Sequence, residues 1–464
     1  MRLALINEGT YPFVTGGVST WCHQLVTGLH RHRFHLVAVT GAGSAAPVYA
    51  APNVTGLTSV PVWDRALAPR RPAARRRRRA TEAAALLCRG LLTEGRYAAG
   101  MFATGLRRLA EISTDGGHPL HGVPVADVLC DAWRVAGRQS TARLTLRAAQ
   151  SAGSLLEHAL RALVAAPPTV DICHAVATGL PALVALATKW RTGTPFVLTE
   201  HGVYLRERYL EYSGTLPVPV KAVMTGFYRA VARISYAEAA AVTSVSDFNR
   251  GWQLRCGADP AKLFVVPNGV DPDRFPALPS EPAEPTVVWV GRVDPLKDLH
   301  TLIEAFQHVY AATPAARLRL VGPVPRGNEE YAAGCRELAG RLGMGGAVAF
   351  AGPVGHSREA FATGHVVALS SISEGMPYTV VEAMMCGRAT VSTDVGAVAE
   401  TAGDTGLVVP PRDPTALGAA CLELLRNPNR RRSMAASARD RALAHFTLDR
   451  MLGAYAHLYA DAFS

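Results

Sequence analysis

The run Glu374-Gly375-Met376-Pro377-Tyr378-Thr379-Val380-Val381-Glu382 carries two carboxylates with seven residues between them. Gly375 and Pro377 mark a loop, and Thr379 to Cys386 read as the first turns of a helix that stops at Gly387. Glu374 is then expected on the loop before a helix amino terminus, with Glu382 about one turn inside the helix. Such a terminus offers free N–H groups and positive dipole to a phosphate. A carboxylate beside it can accept hydrogen bonds from sugar hydroxyls, and one deeper in can take a ribose diol. The plainer alternative is a capping glutamate and a surface glutamate. Upstream, Gly291-Arg292-Val293-Asp294-Pro295-Leu296-Lys297-Asp298 follows directly on the apolar stretch Thr286–Val290. A diphosphate needs fixed positive charge, and an Arg and a Lys on one strand-to-helix loop can clamp both phosphates. Lysine is scarce, present only at Lys189, Lys221, Lys262 and Lys297, so its presence in this loop carries weight.

The amino-terminal half offers softer candidates. Gly16-Gly17 before a helical pattern lets backbone approach a phosphate closely, or forms an ordinary tight turn. His201 lies just past an apolar stretch, Phe196–Thr199, where it can orient an acceptor or donate to a sugar. Tyr204 and Arg206 follow it as acceptor-side candidates, and His174 ends another such stretch. A satisfied structural histidine is the competing reading for both His201 and His174.

These residues need a scaffold, and the chain supplies an α/β rhythm. Apolar runs at Leu3–Ile6, His35–Val39, Val170–Cys173, Phe196–Thr199, Ala241–Val245 and Leu263–Val266 read as strands buried on both faces. A second set fits Thr286–Val290, Leu318–Val321, Val348–Phe350, Val366–Leu369 and Thr390–Ser392, with helical patterns between. Five prolines in 272–285 (272, 276, 279, 282 and 285) mark a linker. Two doubly wound domains follow, residues 1–271 and 286–440. A terminal helix in 441–464 is expected to return to the first domain. Ligands of such sheets bind at the carboxyl ends of the strands. Between 42 and 122 the pattern loosens, and no motif is legible from Arg65 to Leu120.

The Gly-Arg-x-x-x-x-Lys loop, the Glu-x₇-Glu motif and the run Pro267-Asn268-Gly269-Val270-Asp271 together resemble retaining glycosyltransferase family 4. The resemblance covers the carboxyl-terminal half and implies the GT-B fold, two Rossmann-like doubly wound domains facing a cleft, with 1–271 on the acceptor side and 286–440 holding the nucleotide sugar. It implies that Arg292 and Lys297 hold the diphosphate, Glu382 the ribose and Glu374 the transferred sugar, with Gly375, Met376 and Pro377 lining the donor. The opening Glu8-Gly9-Thr10-Tyr11-Pro12-Phe13-Val14-Thr15-Gly16-Gly17-Val18-Ser19-Thr20-Trp21 is similar to that of PelF-like enzymes, as is Glu200-His201-Gly202-Val203-Tyr204-Leu205-Arg206-Glu207-Arg208. That implies UDP-glucose as co-substrate, with no metal or other cofactor, and a role in exopolysaccharide or glycoconjugate synthesis. Two rivals share the cleft: a nucleotide-sugar epimerase, and a non-catalytic UDP-binding subunit that regulates a polysaccharide synthase. An NAD-linked dehydrogenase lacks a G-x-G-x-x-G after its strands.

Composition bounds the partners. With 464 residues the chain exceeds one ordinary core. Its net charge of +11 favours anionic partners. The arginine run from Arg70 to Arg79 reads as a solvated loop, as a patch for acidic membrane surface, or, least in keeping with its lack of interleaved aromatics, as a nucleic-acid contact. No nucleic acid is therefore expected, and the acceptor is a carbohydrate or small molecule. The eight cysteines form no C-x-x-C pair and read as reduced thiols. The amino terminus has no signal-peptide core, so the expected location is the cytoplasm, with a peripheral place at the inner membrane face.

Overall fold

The computed structural model describes every residue except 42, 44–45, 64–71, 96, 114–116, 138–142, 212–215 and 464. The chain divides into two compact units. One comprises Met1–Ser244, Arg250–Val265 and Ala454–Ser464, and the other Val245–Asn249 and Val266–Gly453.

The first unit begins with β1 (Arg2–Glu8), α1 (Gly17–Gly28), β2 (Arg33–Thr40) and β3 (Val54–Pro61). Helices α2 (Ala74–Leu92), α3 (Ala98–Ile112), α4 (Val125–Val135) and α5 (Leu146–Leu160) follow. It continues through β4 (Ile172–Ala175), α6 (Leu180–Thr192), β5 (Phe196–Glu200), α7 (Tyr204–Glu211), α8 (Val218–Glu238), β6 (Ala241–Ser244), α9 (Asp247–Arg255) and β7 (Leu263–Val265). The strands pair in parallel in the order β3-β2-β1-β4-β5-β6-β7, the Rossmann order with one strand added. Continuous apolar runs form these strands because helices cover both faces: Leu3, Ala4, Leu5 and Ile6 are all fully buried.

The stretch without a legible motif holds β3 and a tight helix pair. A Cβ at Gly90 would lie 2.3 Å from the Phe102 nitrogen, and one at Gly105 would lie 2.5 Å from that of Leu87. These two glycines let α2 and α3 pack backbone against backbone, a contact that hydrophobic periodicity does not reveal.

The second unit contains β8 (Thr286–Val290), α10 (Leu299–Ala312), β9 (Arg317–Val321), α11 (Glu329–Arg341), β10 (Val348–Gly352), α12 (Ser357–Ala362) and β11 (Val366–Leu369). After them come α13 (Tyr378–Met385), β12 (Ala389–Thr393), α14 (Val398–Ala402), β13 (Leu407–Val409), α15 (Pro414–Arg426) and α16 (Pro428–His445). The order is β10-β9-β8-β11-β12-β13, again all parallel. Alternate strand residues feed two cores: Val287, Trp289 and Leu320 join one with Leu302 and Phe306, while Val288, Val321 and Val367 join another with Val381 and Met385.

Two boundaries differ from the expectation. The proline-rich segment 272–285 is no free linker but a strap within the second unit. Arg431, 4% exposed, grips Glu281 with Nε–Oε1 at 2.7 Å and Nη2–Oε2 at 2.8 Å. Arg388 donates to the Ser280 carbonyl, and the Leu278 N–H donates to the Cys386 carbonyl at 3.0 Å. Prolines cannot donate, so the extended backbone reads as a linker, yet its carbonyls and one carboxylate remain for arginines to bind. The last helix, α17 (Leu448–Phe463), starts beyond 441, and its part from Ala454 on belongs to the first unit. There Tyr455 and Tyr459 are fully buried.

All eight cysteines are free, seven of them buried. Among the described residues no helix is long and apolar enough to cross a membrane.

Candidate functional site

In the second sheet β8 continues to β9 on one side and lies beside β11 on the other. The chain reverses its winding there, and a crevice at the carboxyl ends of β8 and β11 is the switch point of such a sheet. The loops leaving these two strands are tied together: Ser370 Oγ donates to the Lys297 carbonyl at 2.7 Å, and the Ile372 N–H to the Leu296 carbonyl at 2.9 Å. The lysine loop is braced at both ends. Asp294 Oδ1 accepts from the Leu296 N–H at 2.9 Å. Asp298, in the left-handed region at φ 46°, caps α10 by accepting from the Thr301 N–H through Oδ1 at 3.4 Å, and its Oδ2 accepts from Thr301 Oγ1 at 2.7 Å.

This bracing brings two of the sequence candidates into contact. Lys297 Nζ meets Glu374 Oε1 at 2.5 Å, with side-chain exposures of 24% and 11%. Ser371 Oγ donates to the same oxygen at 2.6 Å. Arg292 lies exposed on the same loop and makes no ion pair among the described residues.

The glutamate loop is clasped from two directions. The Gly375 carbonyl accepts from the Ala397 N–H at 2.9 Å. Asn268 donates through Nδ2 to the Met376 carbonyl at 3.0 Å and through its backbone N–H to the Met376 sulfur at 3.3 Å. The Pro267–Asp271 run, read as a junction, thus clasps the glutamate loop through Asn268. Pro377 precedes α13, and Glu382 lies inside that helix, its Oε2 accepting from Ser357 Oγ at 2.8 Å. Burial pushes the Glu382 carboxyl up, while the Ser357 hydrogen bond and the Arg274 charge pull it back. Ser357, Ser371 and Arg274 escaped the sequence reading, since single serines and a lone arginine at no motif spacing carry no signal. An Asp-x-Asp triplet, Asp271-Pro272-Asp273, folds into its own turn, with the Asp273 N–H donating to Asp271 Oδ1 at 3.0 Å. Among the described residues no group of three His, Cys, Asp or Glu is disposed to hold a metal.

The first unit sorts its candidates differently. Gly16 and Gly17 open α1, whose first turn has no side-chain cap, and a Cβ at Gly16 would meet nothing within 4 Å. His201 follows β5, half-buried, edge-on to Trp21 with ring centroids 4.6 Å apart. His174 is not available to an acceptor: it is fully buried, with Nδ1 2.6 Å from the Tyr459 hydroxyl and Nε2 2.7 Å from Thr199 Oγ1. Its strand-end position is right, but α17 covers it. Tyr204 is likewise enclosed, 6% exposed, and its hydroxyl donates to Glu8 Oε1 at 3.2 Å. Arg206 is half-buried on α7. Beside His201, Glu200 is buried and accepts from Thr178 Oγ1 at 2.6 Å, the Tyr236 hydroxyl at 2.6 Å and Gln253 Nε2 at 3.1 Å.

The arginine run lies only partly on described residues, Arg70 and Arg71 falling outside them. Arg76 is structural, donating to the carbonyls of Ile112, Gly117 and His118. Arg75, Arg77 and Arg79 are exposed at the start of α2.

Comparison with known proteins adds an outside view. Residues 1–261 match the family described as Domain of unknown function (DUF3492), and residues 284–427 match Glycosyl transferases group 1. The chain is 30% identical over 264 residues to a D-inositol 3-phosphate glycosyltransferase of Rhodococcus opacus, covering 53% of this chain and 58% of the relative. The protein of the same description from Frankia alni is 30% identical over 297 residues, covering 60% and 70%. The chain spans about half the length of most of the curated relatives it matches, 49% in Stackebrandtia nassauensis. Among solved structures, sucrose-phosphate synthase from Thermosynechococcus elongatus superposes with a TM-score of 0.65 at 18% identity, over 100% of this chain and 99% of that one. Anabaena HepE with UDP and glucose gives 0.63 at 15% identity, over 99% of each.

Proposed function

This chain belongs to the DUF3492 family, joined to a group 1 glycosyltransferase domain in the two-Rossmann GT-B fold, and from that premise we propose that it is a retaining, metal-independent hexosyltransferase. The donor is UDP-glucose and the acceptor a hydroxyl of a carbohydrate or small molecule, in PelF-like exopolysaccharide or glycoconjugate synthesis. One observation carries this reading: Lys297 and Glu374 pair where the loops after β8 and β11 meet, at the switch point of the second sheet, with Arg292 on the same loop as Lys297 and Glu382 in the helix that follows Glu374. The neighbouring Anabaena structures contain UDP with glucose or UDP-glucose, which favours a UDP-sugar over other donors.

In this reading Arg292 and Lys297 bind the diphosphate and stabilise the charge that grows on it as the sugar–phosphate bond breaks. The acceptor oxygen attacks from the same face, and its proton passes to the departing diphosphate. Glu374 accepts from sugar hydroxyls and Glu382 from the ribose. His201 orients the acceptor. The enzyme works in the cytoplasm at the inner membrane face, with the exposed Arg75, Arg77 and Arg79 toward acidic lipid.

The test is a donor panel. Purified protein in EDTA is offered UDP-, GDP-, ADP- and TDP-sugars, and nucleotide release is followed with and without acceptor extracts. Release of UDP from one sugar, lost in Lys297→Ala, is the expected result. Conversion into another nucleotide sugar would identify an epimerase, and binding without release under every acceptor a regulatory subunit.

A further inference from the structure

Glu382 occupies α13, but the group that orients its carboxylate comes from a different helix. Ser357, the first residue of α12, donates its hydroxyl to Oε2 at 2.8 Å. Among the described residues Oε1 accepts no hydrogen bond. Ser357 is itself held in place. The preceding His356 caps α12 by accepting the Arg358 N–H at 3.2 Å, and its ring packs on the buried Phe275 with centroids 4.7 Å apart. Phe275 belongs to the strap that Arg388 and Arg431 fasten, so packing links the strap to the residue preceding Ser357.

A glutamate has three side-chain torsions, and an unanchored one can follow its ligand or swing to solvent. If a ligand lacks a hydroxyl, a mobile carboxylate simply rehydrates and little affinity is lost. An anchored, half-buried carboxylate has no such escape, and a missing donor leaves its open oxygen unpaired. Discrimination therefore depends on what holds Glu382 as well as on Glu382 itself.

We infer that Ser357 is a positioning residue that fixes Glu382 Oε2, leaving Oε1 to accept from the 2′-hydroxyl of the nucleotide's ribose, and so makes the site selective for ribonucleoside over 2′-deoxyribonucleoside diphosphates. This rests on the nucleotide-sugar reading of the site. The strap, α12 and α13 then form one specificity element, of which only Glu382 touches the ligand.

Calorimetric titration of the full chain with UDP and with 2′-deoxy-UDP tests this. The wild type is expected to prefer UDP by about 100-fold, the worth of one hydrogen bond to a charged group. In Ser357→Ala the preference falls to about tenfold or less, Ser357→Thr restores it, and Glu382→Gln abolishes it. An unchanged ratio in Ser357→Ala, with UDP still bound, overturns the positioning role alone. An unchanged ratio in Glu382→Gln overturns the contact with the sugar. Failure of the wild type to bind UDP, GDP or ADP overturns the nucleotide-sugar reading itself. Thermal melting of each variant separates these outcomes from misfolding, and the threonine variant keeps the hydroxyl if the alanine variant is unstable.

Discussion

Lys297 Nζ and Glu374 Oε1 lie 2.5 Å apart across 77 residues of sequence, so the cation proposed to bind a phosphate and the carboxylate proposed to bind a sugar are paired with each other. Ser371 Oγ holds the same carboxylate oxygen, which keeps Glu374 in place when Lys297 turns to a phosphate. The pair is shielded enough for its charges to matter, and each substitution leaves the other charge without its partner.

Removing the glutamate and removing the lysine should therefore differ in kind. Lys297→Ala is expected to weaken UDP binding and lower turnover at least 100-fold, the cost of a charge-assisted contact to a diphosphate. Glu374→Gln leaves UDP affinity unchanged or higher, because the lysine is released, while turnover drops by a comparable factor. Calorimetry with UDP alongside steady-state kinetics distinguishes these. Equal loss of UDP affinity in both variants would contradict it.

Gly396 sits at φ +60°, and a Cβ there would lie 1.9 Å from the Glu374 carbonyl oxygen. Gly396→Ala should push the glutamate loop away and reduce turnover about tenfold or more, with a stability loss of about 1–2 kcal/mol from the left-handed conformation. A fully active variant would show that the loop's position is immaterial.

Gly16 presents the opposite case. Its φ of 166° is ordinary extended backbone and a Cβ would meet nothing, so Gly16→Ala should melt within about 2 °C of wild type, since no contact changes. If backbone at this loop approaches the donor phosphate, the same variant raises the donor KM. An unchanged KM would remove Gly16 from the donor site.

The Arg431–Glu281 grip predicts an acid-sensitive second unit. Held by the Arg431 hydrogen bonds, the Glu281 carboxyl has its pKa lowered to about 2. A lowered folded-state value contributes stability that is complete above the unfolded carboxylate value of 4.5 and fades as the pH falls toward 2. Urea unfolding between pH 2 and 6 should show this slope, and Arg431→Ala should flatten it while costing about 3 kcal/mol at neutral pH.

His174 contributes in another window. Burial pushes its pKa down to about 3, so it is neutral in the fold and takes up a proton on unfolding below 6.5. Stability from this group is therefore intact above 6.5 and declines as the pH falls from 6.5 toward 3. His174→Gln should lose that slope in the same unfolding series, and a slope identical to wild type would refute it.

Much of this protein was legible in short stretches of chain. Continuous apolar runs identify parallel strands because such strands are buried on both faces; β8 and β11 fall where those runs put them, and α13 lies one residue earlier at each end than Thr379–Cys386. Glu374 on a loop and Glu382 a turn into a helix follow from Gly375, Pro377 and local periodicity alone. Other features were decided by tertiary structure. Nothing near His174 in sequence announces that Tyr459, 285 residues away, seals it, and the prolines of 272–285 gave no sign of Arg431. The α2–α3 pair depends on two glycines meeting another helix's backbone. Spacing along a chain encodes local conformation, whereas the partner of a polar group depends on which strands become neighbours. Lys297 with Glu374, and Ser357 with Glu382, became pairs only once β8 lay beside β11 and α12 beside α13.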